Sequence, residues 1–544
     1  MALAELALRD PSLVDAARLD LEDAWIDAPS FGLRKLAEVT LLDLAVVRAD
    51  WDDVRARLAA LRRDADAPAP HVDEQALLAV HAMRLARATG ATDDERKEAL
   101  ARLQEAYGAQ LAAWKSARTR SGGVGFLNYS SRRSVVGELI RETIAGSASP
   151  ALDETVLEPL FRGEAVGTLA RQLDAPAASL DAIRSEILRD DFGWVAFVPA
   201  WQSTHVFAVD RDEIVHAEIA WCYLSEPLRN DLGDRVALVI PRDDAAAVAK
   251  HRAAVEREAS TWSERLIPPN IRRKLSRWSG CYVTGLELLG NPPIEVLPLD
   301  GRPLGVAKAI ARVPSMTVAL ALARRPKIAS GADSPALRLI AAPELDDKTK
   351  ELAGRLPALS LGDASKRALL EPFDGSLVEQ HFGANATLDA LRDGASRPPR
   401  ILHVLAHAIE RLDREDFATL VLAGTDDERG FVSPTDGNSW LRANVLILSA
   451  CAAARGPSRI GDDGAAQFVG AGFRAGARCV LAADERIELE ATIEFGRLVH
   501  RELARGTDAA EAVRRAREQM WSSDDFDLPS CWATIAVHGL AFDE

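Results

Sequence analysis

From residue 191 onward short β-branched runs alternate with helical stretches, and that alternation limits the possible folds more than any other feature of the chain. "WVAFVPAWQSTHVFAVDRDEIVHAEIA" (194–220) is broken at Pro199 and at the turn Asp210-Arg211-Asp212. Strand-like segments then recur as "RVALVIP" (235–241), "PIEVLPL" (293–299), "LRLIAAP" (337–343), "RILHVLAH" (400–407), "NVLILSAC" (444–451), "RCVLAAD" (478–484) and "WATIAVHG" (532–539). Runs of this length with helices between them build an α/β unit around a mostly parallel sheet. "RRPKIASGADSP" (324–335) is polar and Gly/Pro-bearing, and reads as a joint between two subdomains. Near the end, Leu489, Ile493, Gly496, Val499 and Leu503 share one helical face, and Ala509, Ala512, Val513, Ala516 and Met520 share another. Asp508, three residues before Glu511 and just past Gly506, predicts a capping box.

Residues 1–186 read as helical throughout. "DLAVVRADWDDVRARLAALRRD" (43–64) predicts two helices about a turn near Asp50. "EQALLAVHAMRLARATGATDDERKEALARLQEAYGAQL" (74–111) predicts a second hairpin, stopping at Gly90 and restarting at Thr92. Leu58 and Leu103 occupy similar places in the two hairpins, which look like tetratricopeptide-type pairs. Their separation of 45 residues exceeds that repeat's period of about 34. Two readings stay open, a repeat-like interaction module and an ordinary helical bundle.

A chain of 544 residues has room for two to four domains with sizeable cores. Its 48% apolar and 27% charged content is that of a soluble globular protein. A net charge of -16 argues against nucleic-acid or acidic-membrane partners, which want clustered positive charge. Arg9 and Asp10 come too early for a signal peptide's apolar core. The longest apolar stretches, such as "VALALA" (318–323), fall short of the roughly 18–20 residues that span a bilayer. The expected location is the cytoplasm. Five scattered cysteines (Cys222, Cys281, Cys451, Cys479, Cys531) include no CxxC pair, so free thiols are expected and a zinc cluster is not.

Two of the strand-like segments end in reactive side chains, His407 and Cys451. In an open parallel sheet the crevice lies beyond the carboxyl ends of the strands, where both groups can meet. An imidazole beside a thiol takes its proton, and the thiolate is the attacking species. His403 shares strand parity with His407 and reads as a satisfied structural histidine. Its spacing to His407 suits zinc only on a helix, and the intervening "VLA" supplies no catalytic Glu. "GAGFRAG" (470–476) imitates a dinucleotide loop but comes after a helical run rather than a strand.

The order "ILHVLAHA" (401–408), "VLILSACAAARG" (445–456), "GDDGAAQFVGAGFRAGARCVLAAD" (461–484) resembles the CHAT domain of caspase-like cysteine proteases. That family runs strand-His-Gly, then strand-Ser-Ala-Cys, then a helix into Gly-Ala-Arg and another strand. "LPSCWATIAVHG" (528–539) is similar to its closing Trp-bearing strand, and "IEVLPLDGRPLGVAKAIARVPSMTVALALARR" (294–325) to its Leu-Pro-Leu-Asp-Gly-Arg-Pro-Leu-Gly segment. The resemblance covers about 190–544. It implies a caspase-like α/β fold, a mostly parallel sheet flanked by helices in two subdomains (187–330 and 331–544), preceded by the all-α region 1–186, as in proteins of the TPR-CHAT type. It further implies a cysteine protease with His407 as general base and Cys451 as nucleophile. The backbone N–H groups of Ala408 and Cys451 would be the oxyanion donors. No metal and no cofactor is implied.

Two positions depart from the family pattern, Ala408 for its Gly and Ala452 for its Glu. A Cβ at Ala408 leaves the donor in place unless that residue needs a positive φ. "AADERIELEA" (482–491) stands where caspase-like relatives shape the pocket for the residue before the scissile bond. Asp484 and Glu488, with Glu485 beside them, would pair there with a basic side chain. The other reading is an acidic first helical turn favoured by the helix dipole. The resemblance also implies regulated cleavage of a protein substrate in bacterial antiviral (antiphage) defence or programmed cell death. A gasdermin-like pore former is one substrate class, with a regulatory partner held by the N-terminal helices. The opposing reading is a catalytically inactive caspase-like scaffold for protein–protein interaction.

Overall fold

Among the described residues, eleven of the strands from residue 192 onward join in one sheet, and the others form a three-stranded and a two-stranded sheet beside it. The computed structural model describes residues 13–542 except 27–30, 64–71, 117–134, 147–151, 165–167, 201–202, 221–231, 287–288, 290, 329–332, 354–355, 410–417, 425–429, 452 and 455–466. Phe192–Ala200 (β1) and Ser203–Val209 (β2) are buried along their whole length, as continuous apolar runs in an enclosed sheet must be. Next come Ile214–Ile219 (β3), Gly280–Thr284 (β4), the short pair Pro298–Leu299 (β5) and Arg302–Pro303 (β6), and Ala309–Arg312 (β7). After them come Leu337–Pro343 (β8), Val378–Gly383 (β9), Ile401–Leu405 (β10), His407–Ile409 (β11), Thr419–Val421 (β12) and Phe431–Val432 (β13). Val445–Ser449 (β14), Cys479–Ala483 (β15) and Ile535–Gly539 (β16) complete the set.

The main sheet has the order β3-β2-β1-β4-β7-β16-β15-β14-β10-β8-β9. Strands β1, β4, β7 and β16 are mutually parallel. β15 runs against β16, and β15, β14, β10, β8 and β9 are again parallel. Within this second block β9 lies outside β8 while β10 returns to the other side of β8. The winding therefore reverses between β8 and β10. Crossovers on the two sides of such a reversal leave towards opposite faces, which opens a crevice at the carboxyl ends of the strands.

Two expected strands are absent. "RVALVIP" starts with one helical turn, Asp234–Val236, and leaves Leu238 and Val239 about half exposed. An apolar run becomes a strand only where a ladder partner is available, and this one has none. "PIEVLPL" forms a 3-10 turn at Ile294–Val296 and only two strand residues. Pro293 and Pro298 lack the N–H that a central ladder needs. The capping box at Asp508 is also absent: its side chain makes no cap bond, and Glu511 turns to Arg514 and Arg515 instead.

The helices before the sheet pack with their sequence neighbours. Phe31–Val47 and Trp51–Arg63 form one hairpin, Val72–Ala88 and Asp93–Ser116 the next. Thr92 and Glu95 close the second reciprocally, with Glu95 Oε2 accepting from the Thr92 N–H at 2.8 Å and Thr92 Oγ1 from that of Glu95 at 3.3 Å. Leu42, Val54 and Leu58 lie in one small core, with Leu78 and Leu85 packed on its rim. Val80, Leu103 and Tyr107 lie in another, shared with helix Val135–Gly146. Each hairpin thus buries its face on the next, as stacked helical repeats do. Helix Val135–Gly146 then docks on β1, where a Cβ at Gly137 would sit 2.5 Å from the Pro199 carbonyl oxygen. Among the described residues no helix is long and apolar enough to cross a membrane.

Candidate active site

β10 and β14 are neighbouring parallel strands in which Leu405 stands opposite Ser449. The Ala406 N–H continues the ladder to the Ser449 carbonyl at 3.3 Å. His407 and Cys451 each lie two residues beyond that pair, where their neighbouring strands end at the carboxyl edge of the sheet, next to the winding reversal. The small residues around the cysteine have a packing reason. Ala450, Ala453 and Ala454 are buried, the Ala453 N–H donates to the Ala450 carbonyl at 3.3 Å, and the Ala454 N–H donates to the Ala483 carbonyl at 2.9 Å. This turn lies on the end of β15 and holds Cys451 above it. Cys451 is half-buried, whereas Cys281, Cys479 and Cys531 are buried. Burial pushes the Cys281 thiol up to about 12 and that of Cys531 up to about 11. Cys222 and Ala452 lie outside the described residues.

His407 opens β11, which pairs with β12 so that Ala408 stands opposite Leu420. Ala408 is not among the residues with a left-handed φ, so its Cβ is accommodated without strain. The His407 Nε2 lies 2.7 Å from the Pro357 carbonyl oxygen. A carbonyl only accepts, so Nε2 carries the hydrogen and the neutral ring keeps its lone pair on Nδ1. Pro357 belongs to the connection that leaves β8 at the reversal. That strand ends in a register shift between Ala341 and Pro343, with Ala342 at φ +50. Such a bulge bends the strand and re-aims the chain beyond it, here the segment that reaches the imidazole. Among the described residues no hydrogen bond joins the Cys451 sulfur to the His407 ring.

The acidic residues lie at the same edge, beyond β15, and both have partners within the chain. Asp484 Oδ2 accepts from the Arg312 guanidinium at 2.5 Å, and its Oδ1 from the Asn291 amide at 3.1 Å. Arg312 also holds Glu295 through two hydrogen bonds, 3.1 Å and 2.5 Å. Burial alone would weaken the charge on Arg312, but Glu295 and Asp484 together hold its pKa above the ordinary value. Arg517, 3.7 Å from Glu295, has no such surplus of anions, and burial lowers it to about 10. Asp484 is therefore part of a buried ionic wall. Glu488 sits at the N-cap of helix Leu489–Ala504 without capping it through its side chain. Its carboxylate lies 3.4 Å from Arg242, whose guanidinium also covers the Phe526 ring at 4.8 Å.

His403 points away from this edge into the core. Its Nε2 is 2.9 Å from Ser449 Oγ and its Nδ1 is 3.0 Å from His500 Nε2. Among the described residues no group of three or more His, Cys, Asp or Glu is arranged to hold a metal.

The family model of the CHAT domain matches residues 256–539, which include β10, β14 and the acidic segment after β15. The chain belongs to the CHAT domain family. This is a family of caspase-like cysteine proteases, and the sheet flanked by helices has the architecture expected of it. No curated protein matches the chain. Among solved structures it is similar to the Arg-specific cysteine proteinase gingipain R, at 10% identity and a TM-score of 0.33, over 58% of this chain and 76% of that one. The complex of Porphyromonas gingivalis RgpB pro- and mature domains gives 11% identity and a TM-score of 0.33, over 58% and 77%. The Saccharomyces cerevisiae separase–securin complex gives 9% identity and a TM-score of 0.43 over 99% of this chain. The CHAT protein spans 52% of that chain's length.

Proposed function

We propose that this CHAT protein is an endopeptidase in which Cys451 attacks the peptide carbonyl and His407 moves the protons. The observation that carries the reading is the register Leu405–Ser449, two residues before each reactive side chain. The hydrogen bond from His407 Nε2 to Pro357 supports it by leaving Nδ1 as the proton acceptor. Nδ1 takes the thiol proton, and the thiolate sulfur bonds to the carbonyl carbon. The carbonyl oxygen gains negative charge, for which the N–H groups of Cys451 and Ala408 are the donors. The C–N bond then breaks as the imidazolium returns its proton to the leaving amine. Water, deprotonated by His407, hydrolyses the thioester and frees Cys451. The helices before residue 187 are assigned to recognition of a regulatory partner. Residues 187–330 and 331–544 are taken as the two halves of the caspase-like unit. A gasdermin-like pore former, in a bacterial defence or cell-death setting, is the first substrate class to assay.

Alkylation tests the nucleophile directly. Iodoacetamide near neutral pH is expected to modify Cys451 at least about tenfold faster than Cys281, Cys479 or Cys531 in the folded protein, because a buried protonated thiol reacts poorly. Peptide mass spectrometry after timed labelling reads the rates. Equal labelling of the four would remove the case for an activated sulfur.

The acidic edge sets the preference for the residue before the scissile bond. Asp484 acts there through the wall it forms with Arg312, and Glu488 is the carboxylate that meets an incoming guanidinium in exchange for Arg242. Glu488→Gln is expected to lower kcat/KM for Arg-containing peptides by roughly 10–100-fold relative to uncharged ones, the worth of a charge-assisted pair. A cleavage-site profile unchanged by that substitution would assign specificity elsewhere.

A further inference from the structure

Three buried side chains that take no part in the chemistry above form a single directed chain of hydrogen bonds. It begins at the Leu369 carbonyl, which lies in the last turn of helix Asp363–Leu370 and has no partner within that helix. His500 Nδ1 is 2.8 Å from it. The carbonyl only accepts, so Nδ1 bears the hydrogen, and the neutral ring is left with a bare Nε2. His403 Nδ1, 3.0 Å from that nitrogen, must then donate. His403 Nε2 is in turn bare and takes the hydroxyl hydrogen of Ser449 at 2.9 Å. Every polar atom in the series is satisfied in one arrangement only. His403 and His500 are fully buried, and Ser449 nearly so. Phe373 packs edge-on against the His500 ring, and a Cβ at Gly496 would reach 3.3 Å from His403 Cε1.

The four segments joined by this chain each carry one part of the candidate site. Helix Asp363–Leu370 comes directly after the Pro357 segment that orients the His407 ring. β10 leads to His407 and β14 to Cys451. Helix Leu489–Ala504 begins next to Glu488. We propose that His403, His500 and Ser449 are positioning residues whose hydrogen-bond chain sets the spacing of His407 against Cys451. The proposal rests on reading those two as the reacting pair. A parallel ladder alone fixes strand height but leaves the ends free to twist. Ser449 is two residues from the sulfur, so its hydroxyl is a second anchor close to the reacting atom. Hydrogen bonds between buried groups polarise one another, which makes a complete chain stiffer than isolated contacts.

The test uses the full chain and iodoacetamide. Its readout is the ratio of Cys451 alkylation rates at pH 6 and pH 8, which loss of stability alone does not change in a protein that remains folded. His407→Ala is expected to lower this ratio by about tenfold, since the sulfur loses its charge partner. Ser449→Ala is expected to lower it similarly, and Ser449→Thr, which keeps the hydroxyl, to stay within about threefold of the unmodified chain. His500→Phe, remote from both reacting groups, should reproduce the fall and serves if Ser449→Ala does not fold. A normal ratio in Ser449→Ala and His500→Phe, with His407→Ala low, overturns the positioning role and leaves the reacting pair intact. A low ratio in Ser449→Thr equal to that of Ser449→Ala also overturns it. A normal ratio in His407→Ala removes the reacting pair itself.

Discussion

Cys451→Ala is expected to fold normally and to lose nearly all of the proposed peptidase activity. The turn that presents the sulfur is held by main-chain bonds, from the Ala453 N–H to the Ala450 carbonyl and from the Ala454 N–H to the Ala483 carbonyl, and by buried alanine side chains. None of these uses the sulfur, so the substitution removes a half-exposed atom and little else. The melting temperature should stay within about 2–4 °C of the unmodified chain, a change of about 1 kcal/mol or less. Activity is another matter. Removing the nucleophile of a comparable hydrolase costs on the order of 10⁶ in kcat, and the small remaining rate comes from the oxyanion donors and binding. The measurement is the appearance of new N-termini in a denatured protein mixture, read by mass spectrometry after incubation with each form. Processing that survives in Cys451→Ala sinks the proposed mechanism. If the unmodified chain also yields no new termini, while it still binds a partner through its helices, the scaffold reading takes its place.

The parts of this site that were legible in the sequence are those that local chemistry writes down. Val445-Leu446-Ile447-Leu448 has no periodicity and comes three residues before a cysteine, and it is a fully buried strand. Ile401–Leu405, ending before His407, reads the same way and is its parallel neighbour. The short central strands β4 and β7 were not legible, because "GCYVT" and "AIAR" are four or five residues with Gly, Cys or Arg among them. Only tertiary pairing makes them strands. The opposite error occurred at Leu238 and Val239, apolar residues with strand propensity that lie on the surface. Pro357 gave no signal at all: a main-chain carbonyl has no side-chain signature, and it reaches His407 from 50 residues away. Asp484 was visible as an acid just past a strand. Its engagement by Arg312, 172 residues earlier, was not. His500 was hidden for a related reason, since a histidine on the inner face of an amphipathic helix looks the same whether or not it meets His403.

Those buried histidines lead to the second large effect, a loss of stability in mild acid. Burial lowers His500 and His538 to about 4, and burial together with His500 lowers His403 well below the ordinary value. Burial, with Arg312 acting in the same direction, lowers His538 against the nearby carboxylates of Asp484 and Glu295, which raise it. Its Nε2 has no hydrogen-bond partner. In the unfolded chain these imidazoles titrate near 6.5. Between that value and about 4 the unfolded state binds protons that the folded state refuses, so the unfolding free energy rises with pH across this window. Their contribution is intact above about pH 6.5 and is lost progressively below it. At pH 5 each group with a folded value near 4 has cost about 2 kcal/mol, so His500 and His538 together remove about 4 kcal/mol. His403 adds to that, and a domain's whole margin is only about 5–15 kcal/mol. Urea unfolding at pH 7.5 and pH 5 should therefore differ by at least about 4 kcal/mol, well before most carboxylates titrate. His538→Phe should reduce the slope by about 1.4 kcal/mol per pH unit, one proton's worth. A flat unfolding free energy between pH 7.5 and pH 5 would mean that these rings take up protons in the folded state, and the directed chain from Leu369 to Ser449 could not then exist in its neutral form.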